Sequence, residues 1–205
     1  MPVKLSKAEQ EEYFQYAHQL AFAKKSKEKD WPLIFSSWME AASAGHIRAQ
    51  FYTGVCYDGG LGVEQDPEQA FAWFMKAAKQ GHMQAQGNVA VFYRNGEVVE
   101  QDHKKSVHWL KLAAAQGELE AQADLGFAYF YGRGIKQDSE KAAYWYKKAA
   151  KKDHVMAQYN LALCYEYGHG VAQSDRWAKH YYQLSAKGGH ESAKVKMKQK
   201  RWKGK

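Results

Sequence analysis

A 36-residue period runs through most of this 205-residue sequence. Alanine recurs at that spacing, with glutamine directly after it in the first four cases: Ala49, Ala85, Ala121, Ala157 and Ala193, and Gln50, Gln86, Gln122 and Gln158. Two aromatic positions keep the same step: Tyr57, Tyr93, Tyr129 and Tyr165, and Trp73, Trp109, Trp145 and Tyr181. A period between about 20 and 50 residues is typical of stacked supersecondary units rather than of one globule.

Each copy is predicted to form a hairpin of two helices, which we call helix A and helix B. In the first full copy, the helical spacing of helix A ends near Gly59, where glycines interrupt it. Asp66 and Pro67 then give a start signal for helix B, because aspartate caps free N–H groups and proline suits the first turn. Helix B is predicted to end near Lys79. The predicted caps of the B helices are Asp66, Asp102, Asp138 and Ser174, and the residues expected to end the second helix of each hairpin are Gly45, Gly81, Gly117, Asp153 and Gly189.

We predict one continuous repeat domain over residues 1–205. Its expected parts are a divergent N-terminal hairpin, four repeats, and a basic C-terminal capping helix with a tail: 1–48, then 49–84, 85–120, 121–156 and 157–192, then 193–205. The N-terminal hairpin is predicted to hold one helix from Lys7 to about Lys25 and another from Trp31 to Ser43. The capping helix is predicted to run from His190 to about Arg201. Divergent ends are expected because the terminal units of an array need a polar outer face.

The repeat carries a recognisable motif. Near the turn it reads Tyr-x-x-Gly-x-Gly-Val, as from Tyr57 to Val63 and from Tyr165 to Val171, and helix B reads Ala-x-x-Trp-Tyr/Phe-x-x-Ala-Ala, as from Ala142 to Ala150. This pattern resembles the Sel1-like repeat family, whose members are relatives of the tetratricopeptide repeats. The resemblance implies an all-α, right-handed α/α solenoid of helix hairpins. The second copy departs from the motif, since Val98 stands at a loop glycine and Gly87 lies inside helix A, so we expect an irregular turn there.

The net charge of +8 is concentrated in the second half of the chain. Residues 1–102 hold 10 Lys and Arg against 13 Asp and Glu, whereas residues 103–205 hold 20 against 9. From Lys194 to Lys205, seven basic residues meet no acidic one. Such a block attracts anionic partners through a screened field, and solvated helix faces explain it equally well. Binding of nucleic acid or another anionic surface through the basic C-terminal half is therefore the alternative to protein binding.

The two cysteines, Cys56 and Cys164, occupy the same position in the first and fourth copies. Stacked helices must separate them by far more than the roughly 7 Å that a disulfide spans between Cα atoms, so we predict buried free thiols, which suit a reducing compartment. Residues 1–10 lack the apolar core of a secretory signal, and no apolar run reaches the roughly 18 residues of a membrane span. We expect a soluble, cytoplasmic chain with no membrane partner.

No motif for nucleotide, metal or nucleophilic chemistry is present. Four histidines lie on the 36-residue lattice: His46, His82, His154 and His190. A metal needs ligands about 2 Å away, whereas these residues would lie at least one helix layer apart, so we predict that they cap the following helices. We expect no metal and no cofactor. Some relatives in the resembled family are linked to β-lactam binding, which makes a weak β-lactam hydrolase a lesser alternative, although those relatives carry a cysteine pair in each repeat.

The predicted binding surface lies on the A helices, which line the inner wall of helix-hairpin solenoids. Positions that vary between copies while the packing positions hold are assigned to partner binding: Tyr52, Asn88, Phe92, Asn95, Asp124, Tyr131, Asn160 and Tyr167. Amide and carboxylate side chains at repeat spacing suit the backbone of an extended peptide, and the aromatic rings offer apolar anchors. The alternatives are that Asn88 and Asn160 bind neighbouring loops and that the aromatic residues belong to the core between repeats.

The sequence thus predicts a non-enzymatic scaffold, a monomer, that binds a protein or peptide partner. The family resemblance implies a setting in bacterial signalling, stress or toxin neutralisation. Four tryptophans are expected to pack in the core through helix B rather than to contact the partner: Trp38, Trp73, Trp109 and Trp145.

Overall fold

The structure, a computed structural model, describes residues 5–23 and 29–199. These residues form eleven α-helices and no β-strand. In chain order the helices are α1 (Lys7–Phe22), α2 (Trp31–Ser43), α3 (Ile47–Gly59), α4 (Pro67–Lys79), α5 (Met83–Asn95), α6 (His103–Gln116), α7 (Leu119–Tyr131), α8 (Ser139–Ala150), α9 (Val155–Tyr167), α10 (Asp175–Lys187) and α11 (Glu191–Gln199). The predicted all-α class is confirmed. The A helices of the repeats are α3, α5, α7 and α9, and the B helices are α4, α6, α8 and α10.

Both predicted divergent ends are present. The helices α1 and α2 form the N-terminal hairpin, and α11 follows the fourth repeat. Ser6 starts α1 in a capping box with Glu9, in which each side chain accepts the backbone N–H of the other residue. The helix α1 ends at Phe22. The end predicted near Lys25 is therefore about three residues too late, because the backbone is already extended at Ala23. The end of α11 predicted near Arg201 lies outside the described residues.

The helices fall into two compact units, Met1–Gln101 with α1 to α5 and Asp102–Lys205 with α6 to α11. Within each unit, each helix packs on its neighbours in the chain. The core of the first unit surrounds Phe14 and Trp38, which are buried, and the core of the second surrounds the buried ring of Tyr182. One continuous domain with the repeat boundaries given above stays a prediction.

Side-chain caps start the helices where the sequence predicts them. The cap of each B helix accepts a backbone N–H from the first turn: Asp66, Asp102, Asp138 and Ser174. The lattice histidines cap the following helices through Nδ1, which accepts a backbone N–H at 3.1–3.3 Å: His46 from Ala49, His82 from Ala85, His154 from Ala157 and His190 from Ala193. Before α7 the carboxylate of Glu118 takes this role. The predicted capping role of the four histidines is confirmed.

The residues predicted to end the second helix of each hairpin have a left-handed backbone. Their φ angles are 106° at Gly45, 93° at Gly81, 100° at Gly117, 61° at Asp153 and 99° at Gly189. In the described part of the chain, Asp153 is the only residue other than glycine with a positive φ. The helix ends are therefore local features that the sequence encodes in each copy.

Two glutamines in each repeat hold the hairpins together. The first donates from Nε2 to a carbonyl near the end of the preceding helix at 3.1–3.3 Å: Gln50 to Ala42, Gln86 to Ala78, Gln122 to Ala114 and Gln158 to Ala150. The second lies in the turn and donates to a carbonyl near the end of its own A helix at 2.7–2.9 Å: Gln65 to Asp58, Gln101 to Arg94, Gln137 to Phe130 and Gln173 to Glu166. The periodic glutamines are therefore structural.

The turns between A and B helices explain the second loop glycine. Gly134 has a φ of 70°, and a Cβ added there would overlap the backbone carbonyl of His103 at the start of α6. The equivalent glycines of the first and fourth copies make the same close approach: Gly62 to Trp31 and Gly170 to Ser139. Val98, at this position in the second copy, has no positive φ. Its turn therefore adopts a different backbone conformation, as the sequence predicts, and the two compact units divide directly after it.

The tryptophan prediction is right for two residues and wrong for two. Trp38 and Trp73 are buried, whereas Trp109 and Trp145 are only half-buried. The next residue of α8, Tyr146, is 2% exposed and fills the deeper position. The tryptophan before it therefore flanks the core instead of entering it.

Both cysteines are free and buried, as predicted. Cys56 and Cys164 pack in the hydrophobic cores of their units. Burial raises the pKa of each thiol to about 12. Neither thiol is therefore a nucleophile at neutral pH.

Candidate functional site

A pocket of about 260 Å³ opens between the A helices α7 and α9 of the second unit. Its lining comes from α7, α8 and α9: Phe127, Phe130, Tyr131, Tyr146, Met156, Asn160 and Leu163. Tyr131 and Met156 are 58% and 49% exposed, while Tyr146 is buried. The pocket is thus an apolar depression with a single amide side chain in its wall.

A similar pocket of about 250 Å³ lies in the first unit, between the A helices α3 and α5. Its lining is more polar: Asp58, Gln65, Pro67, Phe74, Asn88, Val91, Phe92, Asn95 and Glu97. Several lining residues of the two pockets are related by a shift of two repeats: Asp58 and Phe130, Phe74 and Tyr146, Asn88 and Asn160, and Val91 and Leu163. The pocket is therefore a product of the repeat, and its chemistry differs between copies.

Five of the eight predicted partner-binding residues line these pockets: Asn88, Phe92 and Asn95 in the first unit, and Tyr131 and Asn160 in the second. Among the described residues, none hydrogen-bonds to the side chain of Asn88 or Asn160. Asn95 donates to Glu97 at 3.3 Å. Asn88 and Asn160 therefore do not bind neighbouring loops in the structure. Both amides line their pockets without a hydrogen-bond partner.

Tyr52 lies outside both pockets, although it occupies the same repeat position as Asn88 and Asn160. Its half-buried ring stacks on Trp38, with 4.7 Å between ring centroids, and lies 6.0 Å from the ring of Phe14. The aromatic residues of α1 and α2 draw this side chain into the core of the N-terminal hairpin. The alternative of packing between helices therefore describes Tyr52.

Asp124 and Tyr167 also lie outside the pockets. Asp124 is half-buried on α7. Burial, together with Cys164, Tyr131 and Asp124, raises the pKa of Tyr146. Tyr167 is 55% exposed, and its hydroxyl accepts a hydrogen bond from Lys196 Nζ at 3.3 Å.

A buried carboxylate beside Tyr167 is not predicted by the sequence. Glu166 is 7% exposed and accepts hydrogen bonds from the Tyr182 hydroxyl at 2.5 Å and from Lys196 Nζ at 3.2 Å. Burial and the bond to Glu166 raise the pKa of Tyr182. Because Lys196 belongs to α11, this cluster fastens the capping helix to the fourth repeat. Asp58, Arg94 and Phe130 stand at the equivalent positions, so no periodic signal marks it.

Apolar groups and one amide make up the lining of the pocket between α7 and α9. In the described ranges, no group of three or more His, Cys, Asp or Glu residues could hold a metal ion. The pocket between α7 and α9 is lined by no Ser, Cys, His, Lys, Asp or Glu side chain. Its one amide and its aromatic walls suit a peptide group and an apolar side chain.

Helix hairpins repeated every 36 residues, with pockets between successive A helices, define a helical-repeat protein. The family model for the Sel1 repeat matches residues 47–82, 84–118, 119–154 and 155–190. The chain therefore belongs to the Sel1 repeat family, as its motif predicts. No curated protein matches the sequence.

Solved structures of bacterial proteins share the fold. A Sel1 repeat protein from Oxalobacter formigenes is 28% identical with a TM-score of 0.83, over 92% of this chain and 74% of that one. The protein c5321, a protective antigen present in uropathogenic Escherichia coli strains, is 34% identical with a TM-score of 0.85 over 92% of this chain, which spans only 40% of its length. The immunity protein PA5088 of Pseudomonas aeruginosa is 24% identical with a TM-score of 0.57, over 95% of this chain and 70% of that one, and this likeness shows the fold alone.

None of the helices in the described residues is both long and apolar enough to cross a membrane. The basic tail predicted from Lys194 to Lys205 is described only as far as residue 199, where it forms part of α11.

Proposed function

We propose that this protein is a non-enzymatic scaffold that binds a protein or peptide partner through its A helices. Sel1 repeat proteins are generally scaffolds for protein interaction. The observation that carries the proposal here is the pair of equivalent pockets, each with an unpaired asparagine amide, Asn88 in one and Asn160 in the other.

An asparagine amide that faces a pocket offers two donors and an acceptor. These groups match the N–H and C=O of an extended peptide, and the neighbouring aromatic and aliphatic walls accept its side chains. Exposed rings such as Tyr131 and Tyr167 supply the rigid apolar area that dominates many interfaces. The pocket between α7 and α9 lacks the nucleophile and base that hydrolysis requires.

The scaffold is further proposed to be a cytoplasmic monomer in a bacterial signalling, stress or toxin-neutralising system. Its free, buried thiols at Cys56 and Cys164 suit a reducing compartment. The relatives at 28% and 34% identity are bacterial proteins.

The test is partner capture by the intact chain from bacterial cytosol, followed by mass spectrometry. Replacing Asn88, Asn160 and Tyr167 together by alanine should weaken capture at least about tenfold, because it removes two peptide-binding amides and an exposed ring. A matched control replaces three exposed side chains of the B helices by alanine: Gln69, Tyr144 and Gln183. Circular dichroism verifies that both variants fold. Equal capture by both triple variants would refute the proposal.

A further inference from the structure

The pocket between α7 and α9 differs from its counterpart in the first unit in a way that defines its occupant. We propose that it binds an apolar side chain of an acidic peptide segment of the partner. This inference rests on the proposed function and adds the chemistry of the partner to it.

The walls of the pocket are suited to one large apolar side chain. Phe127, Phe130 and Tyr131 of α7 stand on one side, and Met156 and Leu163 of α9 on the other. The depression between these walls has a volume of about 260 Å³. Water released from such walls favours the entry of a phenylalanine or leucine side chain.

The single polar side chain in the wall fixes how the peptide enters. Asn160 has no hydrogen-bond partner among the described residues, and it belongs to the α9 wall of the pocket, between Met156 and Leu163 in the sequence. Its amide can pair with the peptide group next to the anchoring side chain, which would otherwise lose its hydrogen bonds to water. An anchor inserted without such a partner would leave that peptide group unsatisfied.

The charge at the mouth of the pocket is positive. The guanidinium of Arg133 lies 5.2 Å from the ring centroid of Phe127 and 5.9 Å from that of Tyr131, so it stands at the edge of the pocket. Arg133 is exposed and forms no salt bridge with any described residue. The ring of His169 lies 5.5 Å from Phe130 on the same rim.

Basic residues outnumber acidic ones around this pocket. Of the nearby carboxylates, Glu166 accepts hydrogen bonds from Tyr182 and Lys196, and the half-buried Asp124 of α7 acts electrostatically on Tyr146. Over residues 102–199 the chain has 16 Lys and Arg against 10 Asp and Glu. A peptide with acidic residues beside its anchor therefore gains favourable electrostatics here.

The equivalent pocket of the first unit has the opposite character. Asp58 stands where Phe130 stands in the second unit, Glu97 where His169 stands, and Leu61 where Arg133 stands. Both acidic residues line that pocket. The preference for an acidic segment is thus a property of the pocket between α7 and α9 and not of the repeat in general.

The methyl group of Met156 is a direct reporter for this pocket. Protein with ¹³C-labelled methionine methyls is titrated with the peptide Glu-Glu-Phe-Glu-Glu, blocked at both ends, and the remaining five methionines serve as internal references. The expected result is a shift of the Met156 signal alone. Replacing the peptide's phenylalanine by alanine should weaken binding at least about tenfold, because alanine leaves most of the apolar pocket unfilled. Replacing its glutamates by lysines should weaken it by about threefold or more.

Two exposed side chains of the rim supply the variants. Tyr131→Ala should weaken the acidic peptide at least about fivefold, and Arg133→Glu should make the lysine peptide bind better than the glutamate peptide. Tyr144→Ala and Lys147→Glu are matched controls on the exposed face of α8 and should change nothing.

The inference is overturned by any of four results. The first is no shift of the Met156 signal at millimolar peptide. The second and third are that the wild-type protein binds the alanine peptide, or the lysine peptide, at least as tightly as the original peptide. The fourth is a Met156 signal that depends on protein concentration alone, which would show that a second copy of the chain fills the pocket. The scaffold function is tested separately by partner capture. If the peptide results contradict this inference but the Asn88, Asn160 and Tyr167 triple variant still captures less partner, the scaffold function is supported and only the acidic peptide is excluded as the occupant of the pocket.

Discussion

The residue that precedes each A helix, and the residue that precedes α11, caps the first turn of that helix. Before α3, α5, α9 and α11 a histidine accepts the backbone N–H through Nδ1, and before α7 this residue is Glu118. A neutral imidazole can take this partly buried position without a charge, whereas a carboxylate must be desolvated there. Burial, with a side-chain bond to Glu120, raises the pKa of Glu118 to about 7.

This raised pKa predicts that Glu118 lowers stability as the pH rises. The folded protein keeps the proton on Glu118 up to about pH 7, whereas the unfolded chain releases it near pH 4.5, so the free energy of unfolding falls between these values. Glu118→Gln keeps an acceptor for the Ala121 N–H and has no charge. It should match the wild type near about pH 4 and be more stable by about 1 kcal/mol near pH 8, less than the full shift because the side chain is partly exposed.

Thermal melts followed by circular dichroism across this pH range measure the difference. Glu140→Gln, in the exposed first turn of α8, is the matched control and should show no pH-dependent gain. Melting temperatures of the wild type and Glu118→Gln that change in parallel with pH would show that this carboxyl group is not the source.

At the scale of the elements, the turns between A and B helices determine how closely the hairpins pack. A turn with its second glycine brings its backbone against the first residue of the preceding B helix or, for Gly62, of α2. No side chain fits in that space. In the second copy, Val98 has no positive φ, so its turn has no left-handed residue at this position. The two compact units divide at the end of this turn.

We therefore expect Gly134→Ala to be more destabilising than a glycine-to-alanine change in open space. Gly189, in the same unit, has a φ of 99° and no atom within 4 Å of an added Cβ, so Gly189→Ala measures backbone strain alone, about 1 kcal/mol. Gly134→Ala adds an overlap with the carbonyl of His103 and should cost at least about 2–3 kcal/mol. Denaturant titration gives both values. Equal losses would mean that the turn relaxes without cost.

At the scale of the whole molecule, charge is distributed unevenly along the chain. Residues 1–102 carry a net charge of −3 and residues 103–205 one of +11. This distribution is the basis of the alternative function, binding of nucleic acid. An excess of positive charge gives non-specific attraction to any polyanion, and base recognition needs contacts of a different kind.

For the scaffold we expect DNA binding that is weak and independent of sequence. The affinity for a labelled duplex, measured by fluorescence anisotropy, should fall at least about tenfold between 50 and 200 mM salt, because released counterions supply the binding free energy. Removing residues 200–205 takes away four of the seven basic residues after position 193 and retains Glu191–Gln199, so it should reduce the salt dependence. Partner capture should survive both changes. Tight binding with a sequence preference at 200 mM salt would instead favour the nucleic-acid function.

The sequence predicts only part of the composition of the pockets. Asn88, Phe92 and Asn95 come from one A helix at spacings that place them on one face, so their convergence was predictable. That Tyr131 and Asn160 share a pocket depends on the packing of two A helices of successive repeats, which the period alone does not orient. Glu166 escaped prediction because the equivalent positions hold other residue types.

The features of the repeat unit that the sequence predicts are the extents of the repeat helices, their caps and their left-handed ends. These features depend on groups within a few residues of one another, so each copy encodes them locally. Contacts between helices settle which A-helix side chains face a pocket and which pack in the core. Tyr52, Asn88 and Asn160 share one repeat position, but Tyr52 is drawn against Trp38 while both asparagines face pockets. The side chains that neighbouring helices present to that position differ from copy to copy, and they determine its burial.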